Sequence, residues 1–260
     1  MASDAVAASP AAHETAAAEV ASRVLGTTVR RAGRPEVTTL VHADGRQSAF
    51  DAAAVGERAD LSLAHLRRQP EIQWPAPARW WWQVSINDVR RMPRVREVFP
   101  VAARACEANG VRRPGQLPGM VTITVPDLHW LVHNRPASLV GDPVVLDRPT
   151  TVTLGRGRPA DRGMTSVGPA LDGWLADEAA ARALGRLGRR RTEERHLYLT
   201  ISCTADAADA FEALVRASGV PPAAPPDRTG VSHLWLAPVL GPAVFLWSRR
   251  DGWSRHEPYA

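Results

Sequence analysis

A mixed α/β (α+β) fold is predicted by three features of this 260-residue chain. Apolar, β-branched and aromatic runs are separated by segments of helical spacing, so strands and helices interleave along its length. Hydrophobic residues are 45% and charged residues 23%, shares that can close a folded core. No run of about 18 uncharged apolar residues occurs, so no membrane-spanning helix is expected.

Met1 to Pro10 is small and polar and reads as a frayed end. The alanine-rich run from Ala11 to Leu25 predicts a helix that stops at Gly26. Val37 to Ala43 and Arg46 to Ala54 flank Asp44-Gly45, which signals a hairpin. Ala59 to Arg68 reads as a short amphipathic helix. Trp80 to Ile86, WWWQVSI, reads as a strand because its side chains are aromatic or β-branched. From Pro93 to Asn109, the spacing of Val95, Val98, Phe99, Ala102 and Cys106 fits one helix, closed by Asn109-Gly110. Met120 to Val125 and Pro143 to Leu154 are β-like. Gly155 to Gly163 is rich in arginine, glycine and proline and reads as a surface loop.

Val167 to Leu187 predicts one helix with Arg182, Arg186, Arg189, Arg190 and Arg191 at its end, where cations suit the dipole. A strand over His196 to Cys203 and an amphipathic helix over Asp206 to Ser218 follow, then the proline-rich Pro221 to Pro226. Val231 to Ala237 and Ala243 to Trp247 complete a C-terminal βαββ portion. The expected division is 1–154, a linker at 155–166, and 167–260, with the two halves packed as one unit as the alternative.

Basic residues number 32 and acidic residues 27, so the net charge is 32 − 27 = +5. There is no lysine: every basic residue is arginine. That excludes Schiff-base chemistry and a phosphate-loop lysine. An arginine-for-lysine bias is the ordinary mark of a GC-rich genome, and +5 over this length does not by itself indicate nucleic acid. Cys106 and Cys203 sit far apart in apolar runs, which argues against a disulfide framework or a zinc knuckle. The first 25 residues carry Asp4, Glu14 and Glu19 and lack the basic start of a secretory signal, so a cytoplasmic protein without membrane contact is expected.

Four stretches carry a resemblance: ADGRQSAFD, WPAPARWWWQVS, the helix ending ACEANG, and RHLYLTIS with the later VSHLWLAP. With the N-terminal order helix, hairpin, helix, strand, helix, they resemble the core of the PD-(D/E)XK nuclease superfamily, the restriction-endonuclease-like fold. The chain also resembles a group of uncharacterised actinobacterial proteins that carry that core. The resemblance implies a restriction-endonuclease-like N-terminal core and a Mg²⁺-dependent phosphodiesterase site. Glu14 or Glu19 would match its first-helix glutamate, an acidic residue would fall near Val37, and Asp51 would be the second-strand carboxylate, followed by lysine two residues on. Val37 and Ala53 break that pattern, so loss of catalysis is the expectation. Asp60 with Glu71-Ile72-Gln73 is another register, flanked by Pro70 and Pro75.

His129 and His133 are four apart and could share a helix face toward a zinc ion, with Asp127 and Asp142 nearby. Trp80 and Trp82 point one way on a strand and Trp81 the other. Core packing is the first reading of these rings and of Trp74, Trp235, Trp247 and Trp253; stacking on bases is the alternative. Arg67-Arg68, Arg90-Arg91 and Arg189-Arg190-Arg191 are candidate phosphate contacts, with a solvated surface as the alternative. Arg79, Arg112-Arg113 and Arg195 extend that basic theme. Ser202, His196 and Asp206 can be written as a triad, but no nucleophile elbow accompanies them.

The expectation is therefore a protein that binds DNA or RNA, or a protein partner, on a catalytically degenerate restriction-endonuclease-like fold and without a cofactor. One alternative is a weak Mg²⁺-dependent nuclease using Glu14 or Glu19 with Asp51, and Asp44 in support; Asp51 and Glu19 would be the metal ligands. The other is a non-catalytic subunit of a defence or biosynthetic assembly, with the tryptophans at its interface.

Overall fold

The computed structural model describes residues 10–32, 37–56, 71–143, 149–155, 161–216, 218–227 and 230–259. Helix α1 (Pro10–Leu25) is followed by β1 (Thr28–Ala32), β2 (Val37–Val41) and β3 (Gln47–Val55), an antiparallel meander. Gly26, at φ +64°, ends α1 in the left-handed conformation that glycine adopts without penalty. Gly45, at φ +83°, closes the β2–β3 hairpin, and the Asp44 carboxylate accepts from the Arg46 backbone N–H.

A second group of elements comes next. It holds β4 (Glu71–Trp74), β5 (Trp81–Ile86), α2 (Met92–Ala108), α3 (Gly119–Thr124), α4 (Pro126–Asn134), β6 (Ala137–Asp142) and β7 (Thr150–Leu154). Its strands form a four-stranded sheet in the order β4-β7-β5-β6. The chain then makes α5 (Val167–Ala176), α6 (Glu178–Gly188), β8 (Arg195–Ile201), α7 (Ala208–Arg216), β9 (His233–Pro238), β10 (Val244–Ser248) and β11 (Gly252–His256). These later strands extend the first meander into a seven-stranded sheet, β1-β2-β3-β8-β9-β10-β11. β3, β8 and β9 are mutually parallel at its centre, and the flanking pairs are antiparallel. One sheet thus takes strands from both halves of the chain.

Period-2 alternation sorts the central strands into two faces. Phe50, Tyr198 and Trp235 pack under α1, whose Ala17, Ala18 and Ala21 let the helix lie close to the sheet. Ala49, Ala53, Leu197, Leu199, Leu234 and Phe245 face the other way, into a core shared with α2, α5, α6, α7 and the smaller sheet. Both faces of β8 are buried, as a central parallel strand requires. Trp74, Trp82 and Trp235 are fully buried, so these rings are core, and Trp82 meets Phe99 edge-on at 6.1 Å.

Several expectations need correction. The strand expected over Trp80–Ile86 begins at Trp81 and lies in the smaller sheet between β7 and β6, and the parallel neighbour of β3 is β8. Met120–Val125 is not a strand. Its β-branched residues form the one-and-a-half-turn α3 between Pro118 and Pro126, and the Thr124 hydroxyl donates back to the Met120 carbonyl at 2.8 Å. Val167–Leu187 is two helices, because Asp177 takes an extended ψ of 139° and its carboxylate caps α6 through the Ala179 N–H. The expected 155–163 surface loop ends in a 3₁₀ turn, Asp161–Ser166, whose Met164 is buried. Four strands carried too weak a pattern to be expected: β1 and β11 are polar edges, β4 is four residues long, and β6 contains Gly141. The predicted helix Ala59–Arg68, with Arg67, Arg68 and Asp60, lies outside the described residues, as does Met1–Ser9. No helix among the described residues is long and apolar enough to cross a membrane.

Candidate functional site

Asp51 sits in the inward row Ala49, Asp51, Ala53 of β3 and is 5% exposed. A carboxylate in that position must be paired to stay charged. Arg186, in the last turn of α6, supplies the pair side-on. Its Nε donates to Oδ2 at 2.7 Å and its NH2 to Oδ1 at 2.6 Å, a two-pronged contact that only arginine can make. α6 packs across β3 with Ala183 and Leu187 in the core, and this register sets Arg186 above Asp51. The Asp51 bond raises the guanidinium pKa further above its ordinary value.

Glu14, one turn into α1, completes the niche. Glu14, Thr38, Asp51, Arg186 and Arg190 line one small cavity of about 30 Å³. It is wide enough for water and far too small for a nucleotide. Burial raises the Glu14 pKa. The Thr38 hydroxyl opposes the rise, the Asp51 charge adds to it, and Arg31 and Arg186 oppose it again.

The resemblance implies Mg²⁺ here, and the residues do not fit that ion. Magnesium requires several oxygen ligands in octahedral array. Both Asp51 oxygens are already bonded to Arg186. The cavity takes a neutral hydroxyl, Thr38, from β2 where the resemblance expects an acid beside Val37, and Ala53 is a core residue where it expects lysine. The arginine supplies fixed positive charge instead. Glu19 is exposed on α1 and is absent from the cavity wall, so of the two helix glutamates only Glu14 shares the cavity with Asp51. Asp44 is also excluded, being exposed in the hairpin turn and paired with Arg46.

The other candidates separate. Arg189 and Arg191 are exposed and Arg190 half-buried, directly after α6 and next to the niche. Among the described residues no carboxylate lies within ion-pair distance of these three. Arg90 is held by Asp88, Glu212 and Asp209, and Arg91 by Asp88, so their charges are largely spent within the protein. Trp81 is half-buried in the smaller sheet. His129 and His133 do stack on α4, 5.6 Å apart, but Asp127 is engaged by Arg94 at 2.6 Å and no third metal ligand joins them among the described residues. His196 and Ser202 stand at opposite ends of β8, about 20 Å apart at strand rise, so the written triad does not assemble.

One cluster was not legible in sequence. Glu194, His196 and His233 bring their ligand atoms within 4.8 Å of one another, and His42 Nε2 lies 3.3 Å from Glu194 Oε2. Arg46 and Ser48 also donate to Glu194, at 2.6 and 2.7 Å, clasping the hairpin to β8. The His196 and His233 rings stack at 4.0 Å. These are zinc-type donors, but Trp235 donates its indole N–H to His196 Nδ1 at 3.2 Å. Indole can only donate, so the His196 proton sits on Nε2, and that nitrogen is no metal ligand in this arrangement. Burial lowers the His196 pKa well below the ordinary histidine value, and the His233 and His42 charges lower it further. His233 is lowered by burial, against the pull of Glu194. For Glu194, burial pushes upward, but the Ser48 bond and the His233, Arg46 and His42 charges outweigh it and the pKa falls. The only hint in sequence was a histidine near the start of each of two predicted strands, His196 and His233.

Comparison with protein-family models, with curated proteins and with solved structures finds no match to this chain.

Proposed function

We propose that this protein binds the phosphate backbone of nucleic acid without cleaving it, using the arginine-rich end of α6 on a degenerate restriction-endonuclease-like core. The observation that carries the reading is the side-on Asp51–Arg186 pair. It places a fixed guanidinium where the resemblance expects a cation, beside Arg189, Arg190 and Arg191, which have no acidic partner among the described residues. The order α1, β1-β2-β3 meander, then the parallel β8 under α6 is compatible with the implied core, with the smaller sheet and α2 to α5 falling in sequence between β3 and α6. Backbone recognition needs no deep pocket, only guanidinia that displace condensed counterions.

The test is fluorescence anisotropy with double- and single-stranded DNA and RNA. If three phosphates are contacted, log K falls with log salt at a slope near −2.7, a loss of about 40-fold between roughly 50 and 200 mM. The R189A/R190A/R191A variant should flatten that slope toward zero. Binding that ignores the three arginines defeats the proposal. Cleavage in Mg²⁺ or Mn²⁺ that is lost in Asp51→Ala would overturn the non-cleaving reading, and a protein partner is the reading left if neither binding nor cleavage appears.

A further inference from the structure

We infer that the groove between the end of α4 and strand β6 binds a phosphoryl group carried on a ligand of nucleotide size. This inference does not rest on the nucleic-acid reading, which uses α6 on the other sheet. The groove has a volume of about 590 Å³, within the range of small-molecule sites. Its rim carries two exposed arginines, Arg113 and Arg135, and its floor is apolar, with Leu131 and Leu139 each 3% exposed. No carboxylate lines it. An adjoining depression shares Arg135, adds the stacked His129 and His133, and again has no acidic lining.

The charge in this groove is unspent, in contrast to its surroundings. Arg90 and Arg91 are paired with Asp88, and Arg94 with Glu97 and Asp127. Among the described residues, no acidic side chain lies within ion-pair distance of Arg113 or Arg135. The backbone under both arginines is also fixed. The Arg113 N–H donates to Gln116 Oε1 at 3.1 Å, and the neighbouring Arg112 carbonyl accepts from Gly141 of β6 at 2.9 Å. Arg135 caps α4 at φ 48°, ψ 44°, a left-handed conformation that usually belongs to glycine or asparagine. The next carbonyl, Pro136, accepts from the Asn87 and Asp88 N–H groups at 2.8 and 3.0 Å. A costly backbone conformation is thus held rigid at the groove's rim by surrounding bonds. Two guanidinia on one groove supply the charge and N–H donors that a doubly charged phosphoryl group accepts, and the leucine floor suits an aromatic or apolar body attached to it.

The source of the phosphoryl group is a free nucleotide or the 5′ end of a strand. Calorimetric titration of the full chain with ADP and with adenosine, and with 5′-phosphorylated and 5′-hydroxyl oligonucleotides, separates these. ADP should bind with adenosine weaker by about tenfold or more, and R113A/R135N should lose about tenfold or more in ADP affinity while R189A/R190A/R191A keeps it. Asparagine is chosen because it tolerates the left-handed backbone. Binding of the 5′-phosphorylated strand alone, with the same dependence on Arg113 and Arg135, upholds the site and assigns the strand end as source. Equal affinity for ADP and adenosine, no binding of either phosphorylated probe up to about 1 mM, or binding untouched in R113A/R135N overturns it.

Discussion

Replacing Arg186 by alanine should destabilise the protein by leaving Asp51 as a buried, uncompensated charge. The Asp51 side chain is 8% exposed, whereas that of Arg186 is 51% exposed. Water reaches the carboxylate only through the small cavity and the space the arginine leaves, so it replaces the lost bonds only in part. Removing one partner of a buried pair costs about 3–5 kcal/mol, and water entering the space left by the half-exposed arginine recovers part of it. The expected loss is roughly 2–3 kcal/mol, or about 5–10 °C in Tm for a chain of this size. Urea denaturation followed by far-UV circular dichroism at neutral pH measures it. The cause is tested by adding Asp51→Asn to the Arg186→Ala background. Removing the negative charge should restore about 1 kcal/mol or more, so the double-mutant cycle is non-additive. A single-variant loss under about 0.5 kcal/mol, or an Asn substitution that rescues nothing, refutes the reasoning.

Three further outcomes are expected. The folded state holds the pKa values of His196 and His233 down, so the unfolded chain binds more protons. Their contribution is complete above the unfolded value near 6.5 and is lost as pH falls from there. The urea midpoint should be level at pH 7–8 and drop toward pH 5, by up to about 2 kcal/mol for each histidine still neutral there, and His233→Gln should flatten the drop. Glu14 has the opposite sign, since its raised pKa means its burial cost is relieved in acid; a midpoint that rises steadily on acidification from pH 7 would contradict the dominance of the histidines. Gly141 has no room for a side chain, because a Cβ would lie 2.8 Å from the Trp82 ring and 3.0 Å from Trp80. Gly141→Ala should cost about 1–3 kcal/mol, read as a lower Tm. Cys106 is buried and its thiol is pushed up to about 12, chiefly by burial and then by Glu107. Cys203 is buried too, with Sγ donating to the Val89 carbonyl at 3.2 Å. Neither should react with a thiol reagent until the protein unfolds; modification of the native protein at pH 8 would show that the core opens locally.

The amino-acid sequence alone determined the elements whose signal is local. The alanine run with Gly26 specifies α1, Asp44-Gly45 specifies the β2–β3 hairpin, and the apolar spacing from Val95 to Cys106 specifies α2. The buried tryptophans were legible as core for the same reason: burial of large apolar rings is a property of the residue and its neighbours in sequence. Glu14 and Asp51 could be singled out by their place on those elements. What joined them could not. Asp51 and Arg186 are 135 residues apart, and only the packing of α6 on β3 brings the guanidinium to both carboxylate oxygens. The same holds for Glu194 and His42, and for Arg113 and Arg135 at one groove. Sheet membership was equally hidden. The Trp81–Ile86 run has the pattern of a central strand, and nothing local says that it pairs with β6 and β7 rather than β3. A backbone ladder is nearly blind to side-chain identity. Which strands meet, and therefore which charges meet, is decided by burying both faces of two sheets in one shared core.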